Sequence, residues 1–253
     1  HVDYVLSKSN PSKIEMRETS LAIIGAAMEK SKKLNIQYAA KQSRISNAWK
    51  KWIGQSKGLK ELDVIQRKRA VEKAFQNRAS SKEEWKKKYG DLLQQFSSLY
   101  NEYEDYAFAR DLLIEIYYYG PEIIRYAHNF EALLEEDLTE EKEKEIIEKL
   151  RGGVAKHYKD YNSNLDQQLM QAMMPLYLSK VPIALRPSRA FDRFQDAGRY
   201  SEELFKNSFF STEEDVLDLL DNFNKRIKKK LANDPALQLA QELINTYSQQ
   251  VRG

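Results

Sequence analysis

Gly54-Gln55-Ser56-Lys57-Gly58 fits G-x-S-x-G, the spacing that in many serine hydrolases sets a hydroxyl on a sharp turn, ready to attack a carbonyl. A serine used this way needs a base. The sequence has three histidines. His1 is terminal, so His128 and His157 are the candidates, and neither sits in a recognisable motif. There is no cysteine, which excludes thiolate nucleophiles, disulfides and thiolate metal sites. Three histidines without cysteine offer no metal-ligand spacing, so no metal and no cofactor is expected.

A nucleophile elbow follows a buried strand and opens a helix. What precedes Ser56 is helical instead. Leu34, Tyr38, Ile45, Trp49 and Trp52 are spaced 4, 7, 4 and 3 residues apart. At about 100° per residue they fall in one narrow stripe, which predicts a buried face on a helix from about Lys32 to Ile53. On this reading GQSKG is a helix-ending turn whose glycines supply positive φ, and Ser56 is not a nucleophile. The opposite face carries Ile36, Ala40, Ser43, Asn47 and Gly54, mostly small. Such a face lets a ligand or another surface approach one amide, or it is a small-residue seam against a neighbouring helix with Asn47 solvated. Arg44 lies nearly one turn before Asn47. It either faces the same cleft or is a solvated helix residue.

The elements that must position these residues are helices. The chain has 253 residues, 42% of them hydrophobic, enough for one large domain or two small ones. Glycine (9) and proline (6) are scarce while Lys, Glu, Leu, Ala and Gln are plentiful, the composition of a helical protein. No segment alternates with period two for long enough to be a strand. The fold class expected is all-α, a multi-helical domain of about ten helices over 1–253, with 1–120 and 121–253 as candidate sub-bundles. Asn10-Pro11 reads as a helix start and Thr139 as a cap. Gly120-Pro121 is a break, and Pro175 should kink its helix. Ser211 with Glu214 reads as a capping box for a helix to about Lys230, and Asp234-Pro235 starts the last helix. The longest apolar run, Leu21 to Met28, is far short of the ~18 residues of a membrane span. No signal-peptide pattern opens the sequence, and a start at His1-Val2-Asp3-Tyr4 suits an excised segment as well as a mature protein.

Two patches suggest other functions. Tyr100, Tyr103 and Tyr106, with Tyr117 to Tyr119, read as an aromatic-rich hairpin that could serve a stand-alone helical protein-interaction module. Spacing of three is also ordinary helix packing. Lys225, Arg226, Lys228, Lys229 and Lys230 form a basic run, but a helix C-terminus favours cations anyway. With 41 basic against 38 acidic residues, net charge gives no argument for nucleic acid.

Asn35-Ile36-Gln37-Tyr38-Ala39-Ala40-Lys41, Ser46-Asn47-Ala48-Trp49-Lys50, and Ile53-Gly54 with Lys57-Gly58-Leu59 resemble the bacterial dipeptidyl-peptidase seven and eleven family of periplasmic or surface serine exopeptidases. Asn10 to Arg17, and Tyr158-Lys159-Asp160-Tyr161 with Asp166 and the helix to Tyr177, agree with it, so the resemblance covers most of the chain. It implies a chymotrypsin-like double β-barrel carrying the catalytic triad, with a large all-α domain inserted into it and capping the cleft. This chain resembles the capping domain alone, so the β-barrel catalytic domain is its implied partner within one polypeptide. A homodimer of the full-length enzyme is compatible with the resemblance. The implied substrate is a peptide with a free N-terminus, cut two residues in. The resemblance gives Asn47 the role of binding the substrate's α-amino group, with Arg44, Ser43 and Ala48 as candidate lining of the cleft. Ala48 stands where the family often has an aromatic residue, and Ser56 where it often has asparagine.

Overall fold

A computed structural model describes residues 2–251. Among them every regular element is helical and no strand occurs. In chain order these are α1 (Val2–Tyr4), α2 (Asn10–Lys30), α3 (Lys32–Glu61), α4 (Val64–Ala79), α5 (Glu83–Tyr89), α6 (Leu92–Tyr119) and α7 (Glu122–His128). Then follow α8 (Glu140–Lys159), α9 (Ser163–Lys180), α10 (Ser188–Arg193), α11 (Ala197–Asn207), α12 (Glu213–Asp221), α13 (Lys225–Ala232) and α14 (Pro235–Thr246). The all-α expectation holds.

Several local expectations do not. Asn10 is not a cap: α1 runs through a wide π-helical turn, Val5–Ser9, directly into α2, with Ser9 and Asn10 both in helical backbone. A wide turn just before a proline takes up the hydrogen bond that the ring cannot make. GQSKG does not end its helix either. α3 continues to Glu61 and none of the described glycines has positive φ. The reversal comes at Leu62-Asp63, where Asp63 adopts the left-handed conformation with φ 47°, one that aspartate tolerates. The cap proposed at Ser211 is Thr212, whose hydroxyl accepts from the Asp215 amide, and its helix stops at Asp221. Asn224 then caps α13 separately. Thr139 and Asp234 cap α8 and α14 as the sequence indicated. The tyrosines expected in a hairpin all lie on the single helix α6.

One apolar cluster joins these helices. Met16 and Ile24 of α2, Tyr38 and Ile45 of α3, Leu112 and Ile116 of α6, Ile123 of α7, Leu169 and Met173 of α9 and Leu237 of α14 all belong to it. Inside it sits an ion pair. Arg17, 2% exposed, meets Glu115, also 2% exposed. Its Nε donates to Oε2 at 2.5 Å and its Nη2 to Oε1 at 3.2 Å. The guanidinium also lies over Tyr119 at 3.7 Å and near the Trp52 ring at 5.0 Å, which ties α2, α3 and α6 at one point. Burial pushes the Glu115 carboxyl above its ordinary range, against the pull of Arg17.

Both ends of the described chain rest on α6. Tyr4 donates from its hydroxyl to Asp111 at 2.9 Å. The final turn, Tyr247–Val251, packs on the same helix, with Tyr247 close enough to Arg110 to act on its charge.

Removing one member of a buried pair strands the other. Arg17→Met should cost about 3–5 kcal/mol in chemical denaturation. Arg17→Met with Glu115→Leu should recover much of that loss. A single variant as stable as wild type would show that the pair does not hold the three helices.

Candidate functional site

Ser56 fails as a nucleophile on geometry. It lies on an unbroken helix, and its Oγ accepts a hydrogen bond from Asn10 Nδ2 at 3.1 Å. Neither candidate base serves it. His128 is held between the Tyr117 hydroxyl, 2.5 Å from Nδ1, and Glu131, 2.9 Å from Nε2. His157 stacks flat on Tyr126 with ring centres 3.7 Å apart. Its burial, with Lys41 and Arg125 nearby, pushes it down to about 4, so it is neutral at neutral pH. Among the described residues no three His, Asp or Glu side chains gather as a metal site requires.

α3 has the two faces its periodicity indicated, with one correction. Tyr38 and Ile45 are buried, but Leu34, Trp49 and Trp52 are only half-buried, because α3 lies on the surface and its second half has little structure beyond it. Trp49 Nε1 donates to Glu18 of α2 at 3.1 Å and walls a groove rather than filling a core. Ile36, Ala40, Ser43, Asn47 and Gly54 are all exposed, so no neighbouring helix closes on the small-residue face. Ser43 and Asn47 line an open groove between α3 and α2, with Ser46 and Trp49 on the same side and Glu18 and Leu21 opposite. The Asn47 amide makes no hydrogen bond to any described residue. Ala48 is half-buried beside it. Arg44 is exposed but lines a different cleft, on the other flank of α3. The structure thus places Asn47 and Ser43 together and puts Arg44 next door.

That second cleft was not anticipated. It lies between α3, the end of α6 and the start of α7, with Ile24, Ile45 and Leu169 beneath and Tyr118, Tyr119, Lys41, Arg44, Glu122 and Arg125 around it. Its shape depends on Gly120. A side chain there would collide with the Ile116 carbonyl, so only glycine lets α6 stop so abruptly and α7 begin two residues on. Asp166 of α9, fully buried, accepts from the amides of Glu122 at 2.7 Å and Ile123 at 2.9 Å and from the Tyr161 hydroxyl at 3.3 Å. Complete burial, with the Glu122 carboxylate nearby, pushes Asp166 up to about 7. On the α3 side, Lys41 pairs with Glu122 at 2.5 Å and also donates to the Asp160 carbonyl. Gln37 donates to the Lys159 carbonyl at 2.8 Å and the Tyr38 hydroxyl accepts from the Asn162 amide at 3.2 Å. These contacts fix the first half of α3 to the α8–α9 turn.

The chain matches the Peptidase S46 family over residues 1–252. It belongs to the peptidase S46 family. Among relatives, it is 29% identical over 254 residues to an Asp/Glu-specific dipeptidyl-peptidase of Flavobacterium psychrophilum, covering 99% of this chain and 35% of that protein. It is 30% identical to dipeptidyl-peptidase 7 of Porphyromonas endodontalis, covering 98% of this chain and 30% of that one. Of solved structures, the crystal structure of Porphyromonas endodontalis DPP11 is similar with a TM-score of 0.78 at 19% identity, over 99% of this chain and 36% of that one. This peptidase S46 chain therefore spans about a third of the length of the relatives it matches, and the all-α fold is the one that part of DPP11 adopts. The NIQYAAK and SNAWK stretches lie on α3, the helix carrying the open amide.

Two measurements follow. Serine-reactive phosphonates should leave Ser56 unlabelled, and a covalent adduct on it would overturn the reading of α3. For Asp166 the folded pKa, about 7, lies above the ordinary 3.8, so the stability it contributes is full below about pH 4 and is lost as pH rises through 7. Asp166→Asn should flatten that part of the stability-against-pH curve, and it should lower stability at pH 5, where an amide NH₂ would face a backbone N–H. Parallel curves for variant and wild type would show that Asp166 does not titrate there.

Proposed function

We propose that this chain is the helical capping domain of a serine dipeptidyl-peptidase, and that Asn47 accepts a hydrogen bond from the α-amino group of the bound peptide. The observation that carries the reading is the unpartnered Asn47 amide on the exposed, small-residue face of α3, in a chain of the peptidase S46 family. An amide oxygen suits an ammonium. Held on a rigid helix at a set distance from a nucleophile on another domain, it measures the substrate from its N-terminus and leaves room for two residues before the cut. The relatives named dipeptidyl-peptidase are consistent with that product. The adjacency of both chain ends on α6 suits a domain that leaves and re-enters its host at one place.

On this reading residues 1–253 act as one domain, the nucleophile and its base lie on the catalytic domain, and this chain alone has no peptidase activity. The bacterial relatives support an enzyme working outside the cytoplasm, in the periplasm or at the cell surface, on oligopeptides. A second reading, a protein-interaction module, is favoured by Tyr100, Tyr103 and Tyr106, which are 41–52% exposed along α6.

In the full-length protein, Asn47→Ala removes a charge-assisted hydrogen bond worth roughly 1.5–3 kcal/mol. kcat/KM for dipeptidyl substrates should fall about tenfold to a hundredfold, with thermal stability unchanged because the side chain is exposed. Wild-type kcat/KM in the variant, with free-amine substrates still preferred over N-blocked ones, would remove Asn47 from the anchor role.

A further inference from the structure

The cleft beside Asn47 carries an unbalanced charge. Lys41, Arg44 and Arg125 line it against one carboxylate, Glu122, and that carboxylate is engaged by Lys41 at 2.5 Å. Arg44 and Arg125 have no carboxylate partner among the described residues. Arg125 lies near the Tyr118 ring, 5.9 Å from its centre, and Tyr118 is itself 54% exposed. The two arginines come from different helices, α3 and α7, and converge on one concavity with an apolar floor. Two exposed arginines at the rim of a hollow whose one carboxylate is already engaged by Lys41 leave positive charge there for an anion. The planar guanidinium matches a carboxylate best, through paired N–H donors.

The position of the hollow says which carboxylate. Arg44 precedes Asn47 by three residues on an unbroken helix, so the two side chains start about 5–6 Å apart on one surface. Asn47 faces the groove toward α2 and Arg44 the cleft toward α7. A peptide whose ammonium sits on Asn47 and whose chain crosses the exposed face of α3 toward α7 would bring the side chain of its first residue to Arg44. A Glu or Asp side chain there reaches roughly the span between two such helix neighbours.

We propose that the Arg44–Arg125 cleft is a subsite for an acidic side chain on the first residue of the substrate. It rests on the reading of Asn47 as the amine anchor. The cleft adds selection at the substrate's N-terminal residue, and it does so from the helical domain, independently of the pocket for the residue next to the cut. Lys41 supports the site without occupying it, because its ammonium is held by Glu122 and by the Asp160 carbonyl.

The test uses the full-length protein and four chromogenic dipeptide substrates, with Glu or Gln at the first position and Glu or Gln at the second. Wild type should favour Glu over Gln at the first position by about tenfold in kcat/KM, the size of one partly exposed charge-assisted contact. Arg44→Met and Arg125→Met should each remove most of that preference while leaving the first-position Gln substrates unchanged. Arg44→Lys should keep part of it. Both residues are exposed, so neither variant should lose its fold. Equal losses on Glu and Gln substrates would mean that the arginines hold the domain in place, and would overturn the proposal. A change confined to the second position would also overturn it. Wild-type protein that releases no dipeptide from any substrate would defeat the capping-domain reading itself. Dipeptide release with no first-position preference would defeat this inference alone.

Discussion

Arg17 stands where three helices cross. Its charge is paired with Glu115 of α6, and its flat face lies between Tyr119 and Trp52. A buried guanidinium is costly unless its hydrogen bonds and its counter-ion are in place, and Nη1 is left without a partner even here. That cost is what makes the junction specific. α2, α3 and α6 satisfy the pair in one mutual arrangement, whereas an apolar contact would tolerate sliding. Everything proposed for α3 depends on this arrangement, because much of α3 has no apolar neighbour to hold it.

The other end of α3 is fixed differently. Lys41, Gln37 and Tyr38 reach the main chain of residues 159–162, and Asp166 holds the first amides of α7 a few residues later. One exposed helix is thereby located by an ion pair at its distal half and by main-chain contacts at its proximal half. Asn47 and Arg44 lie between the two ties, on the stretch whose position is best determined. A residue that measures a substrate from its end must be placed this way.

The all-α class and the helix under Asn47 were legible from spacing; whether its small-residue face was open or a seam against another helix was not, because spacing locates a face without saying what lies beyond it. Caps written in local side chains, Thr139 and Asp234, were legible for the same reason: the recognition is between neighbours in sequence. What failed was local chemistry overruled by context. Gly54 and Gly58 looked like a stop, yet a helix with open space around both glycines passes through them at modest cost. Asn10-Pro11 looked like a start, yet the chain before it was already helical. The Arg44–Arg125 cleft and the Arg17–Glu115 pair were out of reach because their members lie about eighty to a hundred residues apart, though an arginine on the Met16, Ser20, Ile24 stripe of α2 was a sign that an acid would come to meet it.

α4 shows the opposite condition. Of its sixteen residues only Ala79 is buried, and it touches α3, α5 and α1 only sparsely. A helix of that length gains little from its own hydrogen bonds in water. Its amides should therefore sit at the weak end of the hydrogen-exchange range, opening in events that leave α2, α6 and α9 closed. The domain then has a rigid half that carries the amide and the arginines, and a yielding flank that can rearrange against a neighbouring domain without disturbing them.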